Sequence, residues 1–144
     1  MMTDNHFDYV VVGGGSAGCV VASRLSEDPT VSVCLLEAGR PDRSALIHAP
    51  AGFVGLVPTR FVNWAYQTVP QPGLNGRRGY QPRGKVLGGS SSINAMLYVR
   101  GNAWDYDHWA ELGNPGWAHA DVLPYFRRSE GNEHLGGEYH GRDG

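Results

Sequence analysis

Three glycines near the N-terminus, Gly13, Gly15 and Gly18, have the G-x-G-x-x-G spacing that can hold a pyrophosphate against bare backbone. The first glycine permits a tight turn, the second lets phosphates approach the backbone, and the third lets a helix pack closely on a strand. Unpaired N–H groups at the start of the helix, together with the helix dipole, favour negative charge there. The spacing therefore predicts an adenine dinucleotide site, with Ser16 and Ala17 at the helix start.

A carboxylate suited to the ribose of such a dinucleotide follows at Glu37. It lies 19 residues after Gly18, close to the roughly 20-residue spacing expected for an acid that binds the adenosine ribose. A carboxylate accepts a hydrogen bond from the 2′-hydroxyl and repels a 2′-phosphate, so NADP is disfavoured. Ala38 beside it belongs to the same predicted site. The alternative for Glu37 is a solvated acid at the end of a strand.

A second glycine turn, Gly88-Gly89, precedes three serines and an apolar segment at residues 93–99. Free N–H groups and hydroxyls at such a start suit a phosphate or the edge of a flavin. The alternative is a serine-capped helix start with Met96 and Leu97 buried in the core. The residues by themselves leave both interpretations open.

The elements that position the first motif are predicted from apolar periodicity. Residues 9–12 form a short, mostly β-branched run, typical of a strand buried on both faces of a parallel sheet. From residue 16 to residue 25 the apolar positions recur at helical spacing. A second strand is predicted over residues 31–36 and ends at Glu37. This order predicts an α/β fold that begins with a Rossmann-like βαβ unit.

The rest of the chain predicts a β-hairpin followed by helices. The connection after the second strand is broken by glycine and proline, so an irregular segment with one short helical turn is expected. Residues 64–69 and 78–81 are the predicted hairpin strands, with proline, glycine and asparagine between them. Helices are predicted over residues 103–112, capped by Asn102, and over residues 120–129.

Composition and charge exclude several classes of function. The formal net charge of −2 gives no electrostatic case for binding nucleic acid or an anionic membrane. Residues 1–7 contain neither a basic segment nor a long apolar run, so no signal peptide or membrane span is expected, and the cytoplasm is the expected compartment. The six histidines lack zinc-ligand spacing, so no metal site is predicted. Cys19 and Cys34 are predicted to be buried, unpaired thiols.

The segment around the second glycine turn, PRGKVLGGSSSINAMLYVRGNAWDYD, resembles the flavin signature of the glucose–methanol–choline oxidoreductases. Two earlier stretches, VVVGGGSAGCVVASRL and LLEAG, resemble the FAD-binding βαβ unit of the same family. NWAYQTVPQPGLNGR and GNPGWAHADVLPYFRRSE resemble its intervening and following segments. The likeness covers nearly the whole chain and is closest to the choline-dehydrogenase-like branch. It favours the phosphate or flavin interpretation of the second turn.

The resemblance implies that the cofactor is FAD. The first turn would hold its pyrophosphate, and Glu37 its adenosine ribose. The positions that match flavin contacts, or that line the same path, are Val86, Gly88, Gly89, Ser90, Asn94, Ala95, Met96 and Leu97. Some family members attach FAD covalently through a histidine at the position immediately before the asparagine. Ile93 occupies that position here and cannot form the bond, so dissociable FAD is expected.

For a complete enzyme the resemblance implies oxidation of a small alcohol, in which a histidine base takes the hydroxyl proton and a hydride passes to flavin N5. That histidine lies near the far C-terminus of the much longer family members, so no catalytic residue is assigned here. Only two parallel strands can be predicted, which indicates an incomplete doubly wound domain with uncovered apolar surface. Residues 1–144 are expected to be the N-terminal part of an FAD-binding domain. The oligomeric state stays open.

The sequence leaves three alternatives to this assignment. The first is a non-catalytic remnant or a nucleotide-binding module with no activity of its own. The others are an NAD-dependent dehydrogenase and a flavin monooxygenase, each of which shares the βαβ unit. The second glycine turn and the residues after it argue against the monooxygenase.

Overall fold

The computed structural model describes residues 6–144, which divide into two compact units. The first unit extends to Leu97, and the second is Tyr98–Gly144. The expectation of no signal peptide falls mainly on residues 1–5 and so lies outside the described residues. Within the part that is described, none of the helices has the length and apolar character needed to cross a membrane.

The first unit begins with the predicted βαβ unit. It consists of β1 (Tyr9–Val12), α1 (Ser16–Leu25) and β2 (Val33–Leu36). The two strands pair in parallel, with Tyr9 opposite Val33. The bounds of β1 and α1 agree with the prediction, and the Rossmann-like α/β assignment is confirmed.

Two aspartates explain why β2 begins two residues later than predicted. The Asp28 carboxylate accepts hydrogen bonds from the hydroxyl and N–H of Thr30, at 2.7 and 2.9 Å, and holds that residue in a turn. The Asp8 carboxylate accepts from the N–H and hydroxyl of Ser32, both at 2.7 Å, which ties the starts of β1 and β2 together. These hydrogen bonds lower the pKa of both aspartates.

The faces of this sheet are exposed, so the prediction that β1 is buried on both faces is wrong for this chain. Val10 and Val12 are 56% and 82% exposed, and Leu36 is 51% exposed. Parallel strands are buried when further strands flank them and helices cover both faces. Among the described residues this sheet has only two strands. The expected uncovered apolar surface is therefore confirmed.

The connection after β2 contains more helix than predicted. It includes α2 (Ala45–His48), a 3₁₀ turn at Pro50–Gly52 and α3 (Phe53–Leu56). Gly52 lets these turns pack, because a Cβ there would lie 1.8 Å from the carbonyl oxygen of Leu46. The buried apolar core of this unit is Leu56, Val62, Val86 and Ile93.

The predicted hairpin is confirmed but is shorter than expected. β3 (Tyr66–Gln67) pairs antiparallel with β4 (Tyr80–Gln81). An isolated bridge between Asn63 and Gly84 extends the pairing toward the base of the hairpin. Ala65 interrupts the strand because its backbone is left-handed, with φ of +51°.

The two cysteines are free but only partly buried, so the prediction of buried thiols is wrong. Cys19 lies on α1 and donates a weak hydrogen bond to the carbonyl oxygen of Gly14, with sulfur and oxygen 3.3 Å apart. Cys34 lies on β2, whose neighbouring side chains are themselves partly exposed. The missing burial has the same cause as the exposure of β1, since neither element is covered on both sides.

The second unit contains the two predicted helices, α4 (Ala103–Glu111) and α5 (His119–Ser129). Asn102 caps α4 through its side chain, and Asp105 completes a capping box. Asp107 accepts a hydrogen bond from the first backbone N–H of α5 at 2.9 Å. The two aspartates therefore have separate structural roles, as expected for residues on different faces of α4.

A buried ion pair lies next to these helices in the second unit. Arg100 and Glu130 form a salt bridge, and their side chains are only 7% and 8% exposed. The Arg100 guanidinium lies over the rings of Phe126 and Tyr139, 5.3 and 5.0 Å from their centroids. Such a pair stabilises a fold only while both charges are present, because either one alone is left unpaired away from water.

Candidate functional site

The two glycine turns predicted from separate parts of the sequence lie against each other. The N–H of Gly88 donates to the carbonyl oxygen of Gly14 at 2.7 Å, and Gly15 forms a parallel bridge with Gly88. A Cβ at Gly89 would lie 2.7 Å from the Cα of Gly15, and the Gly89 backbone is left-handed with φ of +58°. Glycine is required here for both reasons.

The first turn presents bare backbone. Among the described residues nothing lies within 4 Å of where a Cβ at Gly13 would be, and the nearest atom to one at Gly15 is backbone of the second turn, 3.9 Å away. A Cβ at Gly18 would lie 1.8 Å from the Gly13 carbonyl oxygen, consistent with its predicted packing role. No side chain among the described residues caps α1, so the N–H groups of Ser16 and Ala17 at its start are available to an anion.

Glu37 turns toward this first turn. Its Oε2 accepts from the N–H of Gly14 and its Oε1 from the N–H of Gly39, both at 2.7 Å. Each carboxylate oxygen has further acceptor capacity, so the group can fix the turn and still accept a hydrogen bond from a ribose hydroxyl. The position of Glu37 fits its predicted role of binding the adenosine ribose.

One cleft of about 430 Å³ brings together many of the predicted residues. We call it the glycine cleft, because the two glycine turns, the end of β2 and the base of the hairpin surround it. The predicted site residues on its wall are Gly13, Gly15, Glu37, Ala38, Gly89 and Ser90.

The sequence prediction missed other residues of the glycine cleft, among them Trp64, Tyr66 and Arg83. The Trp64 and Tyr66 rings stack with centroids 5.7 Å apart and planes 7° apart, and the Lys85 ammonium lies 4.2 Å from the Trp64 centroid. The two aromatic residues looked like ordinary strand formers in the sequence. Their alternate spacing was the available signal, since it allows both rings to lie on one side of the hairpin.

A second cleft of about 530 Å³, here called the apolar cleft, adjoins the first. Ser90 and Arg83 line both clefts. The two clefts are therefore neighbours at these two residues. The other residues of the apolar cleft are Phe53, Val54, Val57, Pro58, Pro82, Ile93 and the predicted Asn94 and Ala95.

The serines of the second turn have different roles. The hydroxyls of Ser91 and Ser92 donate to the carbonyl oxygens of Gly88 and Leu87, at 2.5 and 2.8 Å. The Ser90 oxygen instead accepts from the N–H of Gly84 at 3.1 Å. Its hydroxyl hydrogen therefore remains available to donate to a ligand in either cleft.

The other residues predicted to contact the flavin differ in how far they are exposed. Val86 is fully buried in the core and is not among the residues that line either cleft, so its predicted flavin contact stays a prediction. Met96 and Leu97 are 55% and 81% exposed, so the alternative of a helix start with both buried is wrong. The Asn94 side chain accepts from the N–H of Met96 at 2.9 Å, which orients its amide.

The chain is similar in sequence to known proteins of one family. The family described as GMC oxidoreductase matches residues 7–141. The chain is 51% identical to the mitochondrial choline dehydrogenase of Homo sapiens, a match that covers 97% of this chain and 25% of that protein. The chain spans about a quarter of the length of the curated relatives it matches.

Two solved structures resemble this chain over nine-tenths or more of its length. Pyridoxine 4-oxidase from Mesorbium loti superposes with a TM-score of 0.86 and 39% identity, over 96% of this chain and 27% of that one. A formate oxidase from Aspergillus oryzae RIB40, studied for its FAD modification, superposes with a TM-score of 0.78 and 37% identity, over 90% of this chain and 23% of that one.

Proposed function

This chain belongs to the GMC oxidoreductase family, and we propose that it forms the FAD-binding portion of an enzyme that oxidises a small alcohol at its CH–OH group. The observation that carries the proposal is the 2.7 Å hydrogen bond from Gly88 to Gly14, which joins the two predicted cofactor turns beside Glu37. Family membership supports alcohol oxidation as the reaction, because relatives include choline and alcohol dehydrogenases.

In this proposal FAD lies along the two adjoining clefts. The pyrophosphate rests on Gly13 and Gly15 at the start of α1, and Glu37 accepts a hydrogen bond from the adenosine ribose. Ser90 donates its hydroxyl where the clefts meet, and the flavin end lies toward Asn94. When bound, FAD supplies the acceptor for the electrons of the alcohol.

The residues of this chain position the cofactor and adjust its surroundings. The Asn94 side-chain oxygen is held by a backbone N–H, which leaves its NH₂ group as a donor toward the flavin edge. No residue of the chain is assigned as the base that takes the alcohol proton. We therefore expect the chain by itself to bind FAD without oxidising alcohols, as measured by alcohol-dependent dye reduction.

Titration of the chain with FAD tests the proposal directly. We expect saturable quenching of flavin fluorescence, and weaker binding of FMN, because FMN lacks the adenosine that Glu37 would contact. NAD should compete poorly, because the second turn and the apolar cleft are proposed to bind a flavin. No binding of FAD, or equal binding of FMN, would contradict the proposal.

Glu37→Gln is expected to raise the Kd for FAD about 10- to 100-fold, the range for loss of hydrogen bonds to a charged group. An amide NH₂ would face one of two backbone N–H groups that now donate to the carboxylate. The matched control is Glu27→Gln, because Glu27 is an exposed acid paired with Arg24 on the surface. Equal affinity in both variants would show that Glu37 has no role in binding.

We also propose that FAD is bound without a covalent bond. Ile93, at the position where some family members carry the attaching histidine, is 4% exposed and packs in the core. Acid precipitation of the loaded protein should leave the yellow colour in the supernatant. Colour that stays with the pellet would mean that another residue forms a covalent link.

A further inference from the structure

Asn63 is a buried polar side chain at the base of the hairpin, only 3% exposed. Its Nδ2 donates to the carbonyl oxygen of Val57 at 2.8 Å and to the Tyr80 hydroxyl oxygen at 2.9 Å. Its Oδ1 accepts from the N–H groups of Ala65 and Arg83, both at 2.9 Å. Every donor and acceptor of the amide is used, so this one side chain holds the backbone at Val57, Ala65 and Arg83 together.

The backbone that Asn63 holds is strained. Ala65 has φ of +51°, a left-handed conformation that residues with a Cβ rarely adopt. Strain of this kind persists only where the surroundings enforce it, and it is frequent at ligand clamps. The N–H of Ala65 donates to the Asn63 Oδ1, so this left-handed residue is held directly by the buried amide.

The segments on either side of this contact line the glycine cleft. Ala65 lies between Trp64 and Tyr66, whose stacked rings belong to the cleft wall. Arg83, whose N–H is held by the same oxygen, lines the cleft from the segment that follows β4. One side-chain oxygen therefore holds a backbone N–H in each of the two segments that line the cleft opposite Glu37 and the first turn.

We propose that Asn63 is a positioning residue for the adenosine diphosphate end of FAD. Its amide holds Ala65 in the left-handed conformation, and so fixes the Trp64–Tyr66 pair and Arg83 in the arrangement that receives the nucleotide. This inference rests on the proposed function, since the ligand is the FAD proposed above. A purely structural amide would support the hairpin without affecting the nucleotide.

Three variants of the chain separate these roles when ADP and FAD are used as probes. Asn63→Ala should raise the Kd for both probes about tenfold or more, because the wall must be ordered on binding. Adding Ala65→Gly to Asn63→Ala should recover most of that loss, because glycine adopts the left-handed conformation without strain. Tyr80→Phe removes one hydrogen bond to Asn63 but leaves Ala65 held, so its Kd should stay within about twofold of the parent.

The indole N–H resonance of Trp64, assigned by Trp64→Phe, gives a readout that does not depend on the folding of any Asn63 variant. We expect it to shift when ADP is added to the parent chain. Absence of FAD and ADP binding by the parent chain would overturn the proposed function and this inference with it. Binding with an unshifted Trp64 signal, unchanged affinity in Asn63→Ala, or no recovery by Ala65→Gly would overturn the inference alone.

Discussion

Gly89→Ala is expected to weaken FAD binding about 100-fold or more, the scale that a displacement of about 1 Å can produce in a positioned site. The new Cβ would lie 2.7 Å from the Cα of Gly15, and the three nearest described atoms are all backbone atoms of Gly15, which cannot swing aside as a flexible side chain could. The turns must therefore separate, and the hydrogen bond from Gly88 to Gly14 must lengthen from 2.7 Å. The prediction is measured as the Kd for FAD by flavin fluorescence.

Gly76→Ala is the matched control for this substitution. Gly76 also has a left-handed backbone, with φ of +75°, but no described atom lies within 4 Å of where its Cβ would be. It should therefore suffer the backbone strain, about 1 kcal/mol, without any collision. We expect Gly76→Ala to unfold at a lower temperature and to keep its FAD affinity. Equal loss of affinity in the two variants would mean that strain, not the contact between turns, explains the result.

The first turn was predictable because its determinants are local. Glycine spacing, a β-branched run and helical periodicity each operate over a few residues, and β1 and α1 have the predicted bounds. The position of Glu37 follows from the length of one βα crossover. These features do not depend on the rest of the fold, which is why sequence reasoning identified them.

The contacts between distant segments were not predictable in the same way. The sequence indicated two glycine turns but not that Gly88 would bond to Gly14. Trp64 and Tyr66 carried a strand signal, and their place in the glycine cleft depends on how the hairpin lies against the first turn. Asn63 looked like any polar residue before a strand, because its four partners are brought together only by the folded chain.

The burial of individual residues was the least predictable property. An apolar run such as β1 indicates a buried strand only when the elements that cover it are present, and the described residues provide two strands of that sheet. The polar, glycine-rich C-terminal segment gave no sequence signal for burial. Glu130 is nevertheless only 8% exposed, because its carboxylate pairs with Arg100 and accepts hydrogen bonds from Asn132, His140 and Gly141.

Glu130→Gln is expected to lower the unfolding midpoint of the second unit by more than about 10 °C, because it leaves the buried Arg100 without its counter-charge. The Glu130 carboxylate also accepts from His140 Nδ1 at 2.9 Å and from the N–H of Gly141 at 3.1 Å. An amide NH₂ cannot accept from these donors. Tryptophan fluorescence follows the transition, and Glu133→Gln, which removes the same charge from an exposed site, should change the midpoint little.

The pKa of the Glu130 carboxylate predicts how the stability of the fold depends on pH. The hydrogen bond from His140, followed by those from Gly141 and Asn132, lowers the pKa of Glu130 from 4.5 to about 2. A pKa lower in the folded state than in the unfolded chain means that the ionised group stabilises the fold above about pH 4.5. That stabilisation is lost progressively as the pH falls from there toward 2. The unfolding midpoint of the parent chain should therefore fall more steeply over this interval than that of Glu130→Gln, because the amide has no proton to take up. Parallel pH profiles of the two unfolding midpoints would mean that protonation of the Glu130 carboxylate does not cause the loss of stability in acid.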